Sequence, residues 1–386
     1  MKDLQTVEGA FKRLDAFVHK HDFKGWDLFD GLNSDLFKRS VFYRSELLRL
    51  AWIQFFKRSP VNLRLPAMVP KGYNAKGLGL FASGLIHSGR VSEAGRLLDI
   101  LQTISCERFE GRSWGYNFDW QARAFYVPEG KPNMVTSVFV ANAFLDHFDA
   151  ASDERSLNTA ADTCEFILHH LIQHEDTDIL CFAYIPGETA RVHNANMLGA
   201  ALLARVYSHT KRKELLIKSR KAMTYSMARM NQDYSWPYGE RHHHRFIDNF
   251  HTGFNLVALK NWMDYTGEKH WKNQLLGACR YFVKTFWLDN GCPKYYHNSL
   301  YPVDIHCSAQ GIVTCLSLSE DLSESLVLAE KILLWAIDHM MDKKGYFYYQ
   351  KTRFYTNKIP YIRWAQAWMF YAMALYLNYM NHSSGK

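Results

Sequence analysis

Apolar and polar positions follow one cycle that repeats along the chain. A segment of helical period with one polar face leads to a turn, then to a short aromatic stretch, then to a segment that is apolar on all sides. The one-faced segments are 91–104, 153–174, 212–230, 268–287 and 321–341. In "DERSLNTAADTCEFILHHLIQH" the apolar residues recur at i, i+3, i+4 and i+7 behind an acidic first turn, which predicts an amphipathic helix. The aromatic stretches are "GRSWGYNF" (111–118), "DILCFAYI" (178–185), "QDYSWPYG" (232–239), "DNGCPKYY" (289–296) and "DKKGYFYY" (342–349). Their Asp, Asn and Gly residues supply turns, and the aromatic pairs predict short strands.

The segments that follow are rich in Ala, Gly and other small residues, which predicts helices buried on every side. Each is opened by a polar residue: Lys76, Thr136, Asn196, His251, His306 and Gln366, spaced 55 to 60 residues apart. Six outer–inner hairpins predict an all-α fold, an (α/α)6 toroid with short aromatic β-segments in its connecting loops. An open helical solenoid is the alternative. The absence of polar terminal repeats favours closure. Residues 1–70 then supply an N-terminal arm and the first outer helix, expected at 41–57, and 71–386 the toroid. No linker is visible, so a single domain is expected.

Composition narrows the setting. The chain of 386 residues is 48% hydrophobic and 22% charged, which argues against extensive disorder. No run of about 18 uncharged apolar residues occurs, so no membrane span is expected. The N-terminal stretch lacks a signal-peptide core. Seven cysteines without a CxxC suit buried thiols in a reducing compartment. These features predict a cytoplasmic protein, with peripheral attachment at the inner membrane face also open. A net charge of +8 favours an anionic partner, either an acidic glycan or a lipid leaflet. There is no nucleic-acid motif, and neither a cofactor nor a metal is expected. His242, His243 and His244 are adjacent in a loop expected to face solvent, and no HExxH occurs.

The toroid would gather the polar residues at one mouth. Candidate binding residues there are Lys76, Asn196 and Gln366, with Trp114, Tyr116, Tyr184, Glu188, Trp236, Tyr238 and Arg363 from loops and strand ends. Aromatic rings and a few charges suit a saccharide or acidic oligosaccharide. Two catalytic schemes fit. Two carboxylates from Asp119, Glu188, Glu240, Asp248 and Asp304 would cleave a glycoside. Alternatively, His251 and His306 would act as paired bases in epimerisation. Asp248 and Asp304 also suit helix N-caps. A glycan-binding or scaffold protein without catalysis is the alternative from another class.

Five segments carry a family likeness: "FKGWDLFDGLNS" (23–34), "KRSPVNLR" (57–64), "NAKGLGLF" (74–81), "SWGYNFDWQAR" (113–123) and "WPYGERHHHRFIDNFHTGFNL" (236–256). In these the chain resembles bacterial surface-polysaccharide biosynthesis proteins of the VpsJ type. The resemblance implies a role in exopolysaccharide, capsule or O-antigen production, with other assembly proteins as partners. It also implies that Asp27 and Asp30 reach the cleft. In architecture alone the chain is similar to N-acylglucosamine 2-epimerases, uronate C5-epimerase domains and unsaturated glucuronyl hydrolases, the six-hairpin glycosidase-like group. No catalytic residue is carried over from them.

Overall fold

The computed structural model describes residues 2–121 and 126–383; Ala122 and Arg123 of the fourth family segment lie outside them. Its helices are α1 (Lys2–Lys20), the short α2 (Asp35–Lys38), α3 (Glu46–Arg58), α4 (Ala75–His87), α5 (Val91–Thr103), α6 (Met134–Ala151), α7 (Glu154–His170), α8 (His193–Thr210), α9 (Lys213–Met227), α10 (Asn249–Thr266), α11 (Lys272–Thr285), α12 (Ile305–Ser317), α13 (Glu324–Met340) and α14 (Trp368–Ser383). A π-helical turn, Ile362–Ala367, leads into α14.

Helices α4, α6, α8, α10, α12 and α14 pack each on the next, and α14 packs back on α4. The ring is therefore closed, an (α/α)6 toroid, with α5, α7, α9, α11 and α13 outside it. Small residues let the inner helices approach. A Cβ on Gly84 of α4 would stand 2.7 Å from the Phe370 ring of α14. Asn74, Asn133 and Asp304 cap α4, α6 and α12 by accepting from backbone N–H groups.

The first outer helix is not where the sequence placed it. α1 packs on α13 and α14 and takes the sixth outer position. Its Val7, Ala10, Leu14 and Val18 form one fully buried stripe. The segment expected there, 41–57, instead yields a short 3-10 turn (Val41–Arg44) and most of α3. α3 buries only Ile53 and Phe56 and lies over the 3-10 turn Asp30–Asn33 and the strand Trp120–Gln121. One further boundary moves. The helix expected over 153–174 ends at His170, and Ile172–Glu175 pairs as an antiparallel strand with Leu180–Phe182.

Candidate active site

At one end of the ring lies a cavity of about 430 Å³. Its wall obeys a simple rule: the second residue of each inner helix lines it. These are Lys76, Val135, Asn194, Phe250, His306 and, from the π turn, Arg363. The rule has a backbone cause. The residue before each start is extended, and Asn74, Asn133 and Asp304 there turn their side chains back onto the helix. The next outward-pointing position is then the second helical residue. Alignment on the polar residues missed this by up to three positions, Gln366 against Arg363. Asn194, not Asn196, reaches the cavity. The Asn and Asp caps at 74, 133, 248 and 304 were the signal that would have found it.

Of the candidates, Lys76, Tyr116, Tyr184, Glu188, Tyr238, His251, His306 and Arg363 line this cavity. His251, one residue beyond Phe250, holds its Nδ1 2.8 Å from Asp248 Oδ2. Asp248 makes no capping bond, so its carboxylate serves the imidazole. That contact fixes the tautomer with Nδ1–H on Asp248 and leaves Nε2 as the acceptor. His306 is 1% exposed, and neither of its ring nitrogens has a hydrogen-bond partner. Both imidazoles pack on Phe250, with ring centroids at 4.1 and 4.6 Å. Burial, with the charges of Lys76, Arg363 and His251, holds His306 well below the usual histidine range. It is therefore a neutral imidazole at physiological pH.

The cations are handled in two ways. Arg363 donates from Nε and Nη2 to the two oxygens of Asp27, each at 2.7 Å. Asp27 is held in turn by its neighbour. Its backbone N–H donates to Asp30, whose other oxygen accepts from Arg64 Nε at 2.6 Å. Thus Asp27 and Asp30 set the position of Arg363 and do not themselves line the cavity. Lys76 has no such anion. Its Nζ lies 4.3, 5.1 and 5.0 Å from the ring centres of Phe139, Phe254 and Trp368. Burial and the Arg363 charge push it well below the usual lysine range.

The remaining candidates have other work. Trp114 and Trp236 are buried, and each indole donates to a carbonyl near the end of an outer helix, Leu101 and Ser226. Asn196 and Gln366 clamp the aromatic segments: Asn196 accepts from Phe182 N–H, and Gln366 both accepts from and donates to the Phe347 backbone. Glu240 is turned away toward Tyr225, Arg229 and Arg191. Asp119 accepts from Tyr43 and from Glu129 N–H. Asp304 caps α12 and accepts from Trp364 Nε1 at 2.9 Å and Gln350 at 3.1 Å. Burial raises Asp304 to about 6. Among the described residues, Glu188 is the one carboxylate lining the cavity, and it accepts from Arg241 at 2.7 Å. The triple histidine does not simply face solvent, because His243 and His244 line the rim with Arg241 and Phe246. Phe29 and Lys57, from the N-terminal arm and α3, complete the wall on the other side. The isolation of Lys57 from any repeat made it invisible to the pattern.

A closed ring of six helical hairpins is a fold shared with solved sugar epimerases and glycoside hydrolases, the six-hairpin glycosidase-like (α/α)6 toroids. Solved structures of that class align along most of the chain. Cellobiose 2-epimerase from Bacillus thermoamylovorans matches with a TM-score of 0.62 at 10% identity, over 80% of this chain and 88% of its own. A GH76 α-mannanase of Bacteroides thetaiotaomicron matches at 0.56 and 12% identity, over 81% and 88%. An unsaturated glucuronyl hydrolase specific for heparin matches at 0.55 and 13% identity, over 79% and 86%. At these identities the likeness is one of fold. No family model and no curated protein matches the sequence.

Proposed function

We propose that the protein is an enzyme that moves a proton at a carbon of a carboxylate-bearing sugar, with His251 and His306 as the acid–base pair. The observation that carries this reading is the pair itself. Two imidazoles from neighbouring inner helices open on one cavity, one held by Asp248 and the other without a partner. Neutral His306 removes a proton from the carbon next to a carbonyl; the C–H electron pair becomes a carbon–carbon double bond and the carbonyl π pair moves onto the oxygen. His251, once its Nε2 has accepted a proton from solvent, gives that proton to the opposite face of the carbon as the carbonyl re-forms, which inverts the centre, and His306 releases the abstracted proton to solvent. Lys76 and the Arg363 guanidinium stabilise the enolate oxygen and attract the substrate carboxylate. Aromatic rings at Tyr116, Phe118, Trp120 and Tyr238 offer stacking faces for a sugar.

A two-carboxylate cleavage has less support, because Glu188 alone among the described carboxylates lines the cavity and it is already paired. A sugar substrate is also supported by the matched structures, whose names include two sugar epimerases and a glucuronyl hydrolase. Placement in surface-polysaccharide production beside other assembly proteins rests on the five family segments, and placement inside the cell on the cysteine usage and the N-terminal composition.

The test is deuterium exchange. The protein is incubated in D₂O with hexuronates, hexosamines and short acidic oligosaccharides, and C–H signals are followed by NMR. Deuterium should enter one carbon of a uronate, and His306→Gln and His251→Asn should each slow this by about 10²-fold or more. Tight binding of a glycan with no exchange at any carbon would replace the enzyme reading with a glycan-binding one.

A further inference from the structure

Half of the large hydrophobic side chains exposed among the described residues lie in one stretch, 36–68, on the layer that covers the ring. They include Val41 at 75%, Leu47 at 73%, Leu65 at 75% and Phe42 at 57% exposure. Soluble surfaces seldom gather apolar residues so densely without a partner. The helix at the centre, α3, has two apolar faces. Trp52, Ile53 and Phe56 point into the protein, while Leu47, Leu48, Ala51 and Phe55 recur at helical spacing on the opposite, exposed side. The exposed side borders an open groove of about 650 Å³ whose lining is apolar except for Ser40.

Charge decides what covers this face. Residues 35–68 hold seven Lys and Arg against two Asp and Glu; Arg64 is buried against Asp30 and Lys57 is turned to the cavity, so the cations left for the outer face are Arg39, Arg44 and Arg58, with Lys38 and Arg49 beside them. Arg39, Arg44 and Arg58 are exposed, and their side chains have no hydrogen-bond or ion-pair partner among the described residues. Arg39 and Arg44 bracket the Val41–Phe42 turn, and Arg58 falls on the exposed face of α3, three residues after Phe55. A second copy meeting this face about a two-fold axis would bring arginine against arginine. A partner protein's groove-filling helix would leave the protruding Val41, Leu47 and Leu65 outside the contact. Protruding apolar side chains ringed by unpaired cations match the boundary of an anionic bilayer, where the apolar groups insert and the cations meet headgroups.

We infer that residues 36–68 form a docking face for an anionic lipid surface. The inference is independent of the proposed chemistry. Lys57 of the same helix lines the cavity, so the helix that would meet the lipid is also part of the cavity wall. Two features of the face are separable, its cations and its apolar residues, and both should count.

The full chain is mixed with sucrose-loaded vesicles of phosphatidylcholine alone, or of phosphatidylcholine with phosphatidylglycerol, and centrifuged. It should sediment with the mixed vesicles and stay in solution with phosphatidylcholine alone, and added salt should release it. The triple variant Arg39→Ala, Arg44→Ala, Arg58→Ala should lower partitioning about ten-fold or more. Phe42→Ser with Leu47→Ser should lower it similarly, with an unchanged circular dichroism melt showing that the fold is intact. Absence of wild-type sedimentation overturns the inference, as does sedimentation that neither variant affects. So does a dimer in analytical ultracentrifugation that Phe42→Ser dissociates, since a second copy would then cover the face.

Discussion

In Lys76→Met a buried ammonium is exchanged for an apolar side chain of similar length. Lys76 is 3% exposed and, among the described residues, has no ion-pair or hydrogen-bond partner; three aromatic faces and the more distant Asp27 charge partly offset its desolvation. Leaving a charged group unpaired in such a place costs about 2–4 kcal/mol, and the lost cation–π contacts return about 1 kcal/mol of that. The variant should therefore be more stable by about 1–3 kcal/mol near neutral pH. With about 2 cal/mol/K of unfolding entropy per residue, a chain this long shifts about 1 °C per kcal/mol, so Tm should rise about 1–4 °C. The pH dependence gives a sharper check. The folded-state lysine titrates well below its ordinary 10.5. Below the folded value both states are protonated and the full burial cost is present. As pH rises toward 10.5 the unfolded state loses its proton too, and the cost disappears. The Tm advantage of Lys76→Met should thus shrink as pH rises toward 10.5 and vanish above it. Differential scanning calorimetry across that range measures both, with uronate binding by titration calorimetry expected to be lost. A destabilised variant, or an advantage that does not change with pH, would refute the account of an unneutralised buried lysine.

Two further outcomes follow from the same geometry. Asp304, raised to about 6 by burial, favours folding when protonated, and that contribution is lost as pH rises from 3.8 through 6; Asp304→Asn should flatten this part of the stability–pH curve in urea titrations. Gly84→Ala, although better for helix propensity, forces a methyl to within 2.7 Å of Phe370 and should cost about 1–3 kcal/mol, read as a lower urea midpoint with an unchanged m-value.

The ring was legible because its signal is repeated. One amphipathic helix says little, but five at regular intervals, each followed by turn, aromatic pair and small-residue helix, leave few architectures. The sixth outer helix escaped because the arm offered two amphipathic segments and both pack. Only three-dimensional contact distinguishes α1, buried against α13 and α14, from α3, which lies over the arm. The site was legible in part. His251, His306 and Lys76 announced themselves as polar residues opening apolar helices, and Arg363 as a cation just ahead of the last one. Asn196 and Gln366 looked the same, yet their amides are spent holding Phe182 and Phe347 in place. A side-chain amide in such a position serves either purpose, and sequence spacing does not tell them apart. The carboxylates misled for a similar reason. Asp119, Glu240 and Asp304 sit next to cavity residues in sequence but are turned to partners on other elements.

Because a single register position on each of six helices supplies the ring's share of the wall, and loops supply the rest, cavity chemistry and scaffold are nearly decoupled. Exchange of Val135 or Asn194 would alter what a guest molecule meets while leaving the interlocked small residues one or two turns further along untouched. Such a basket can be re-lined one stave at a time, and proteins that share it are free to diverge in what they hold long before they diverge in shape.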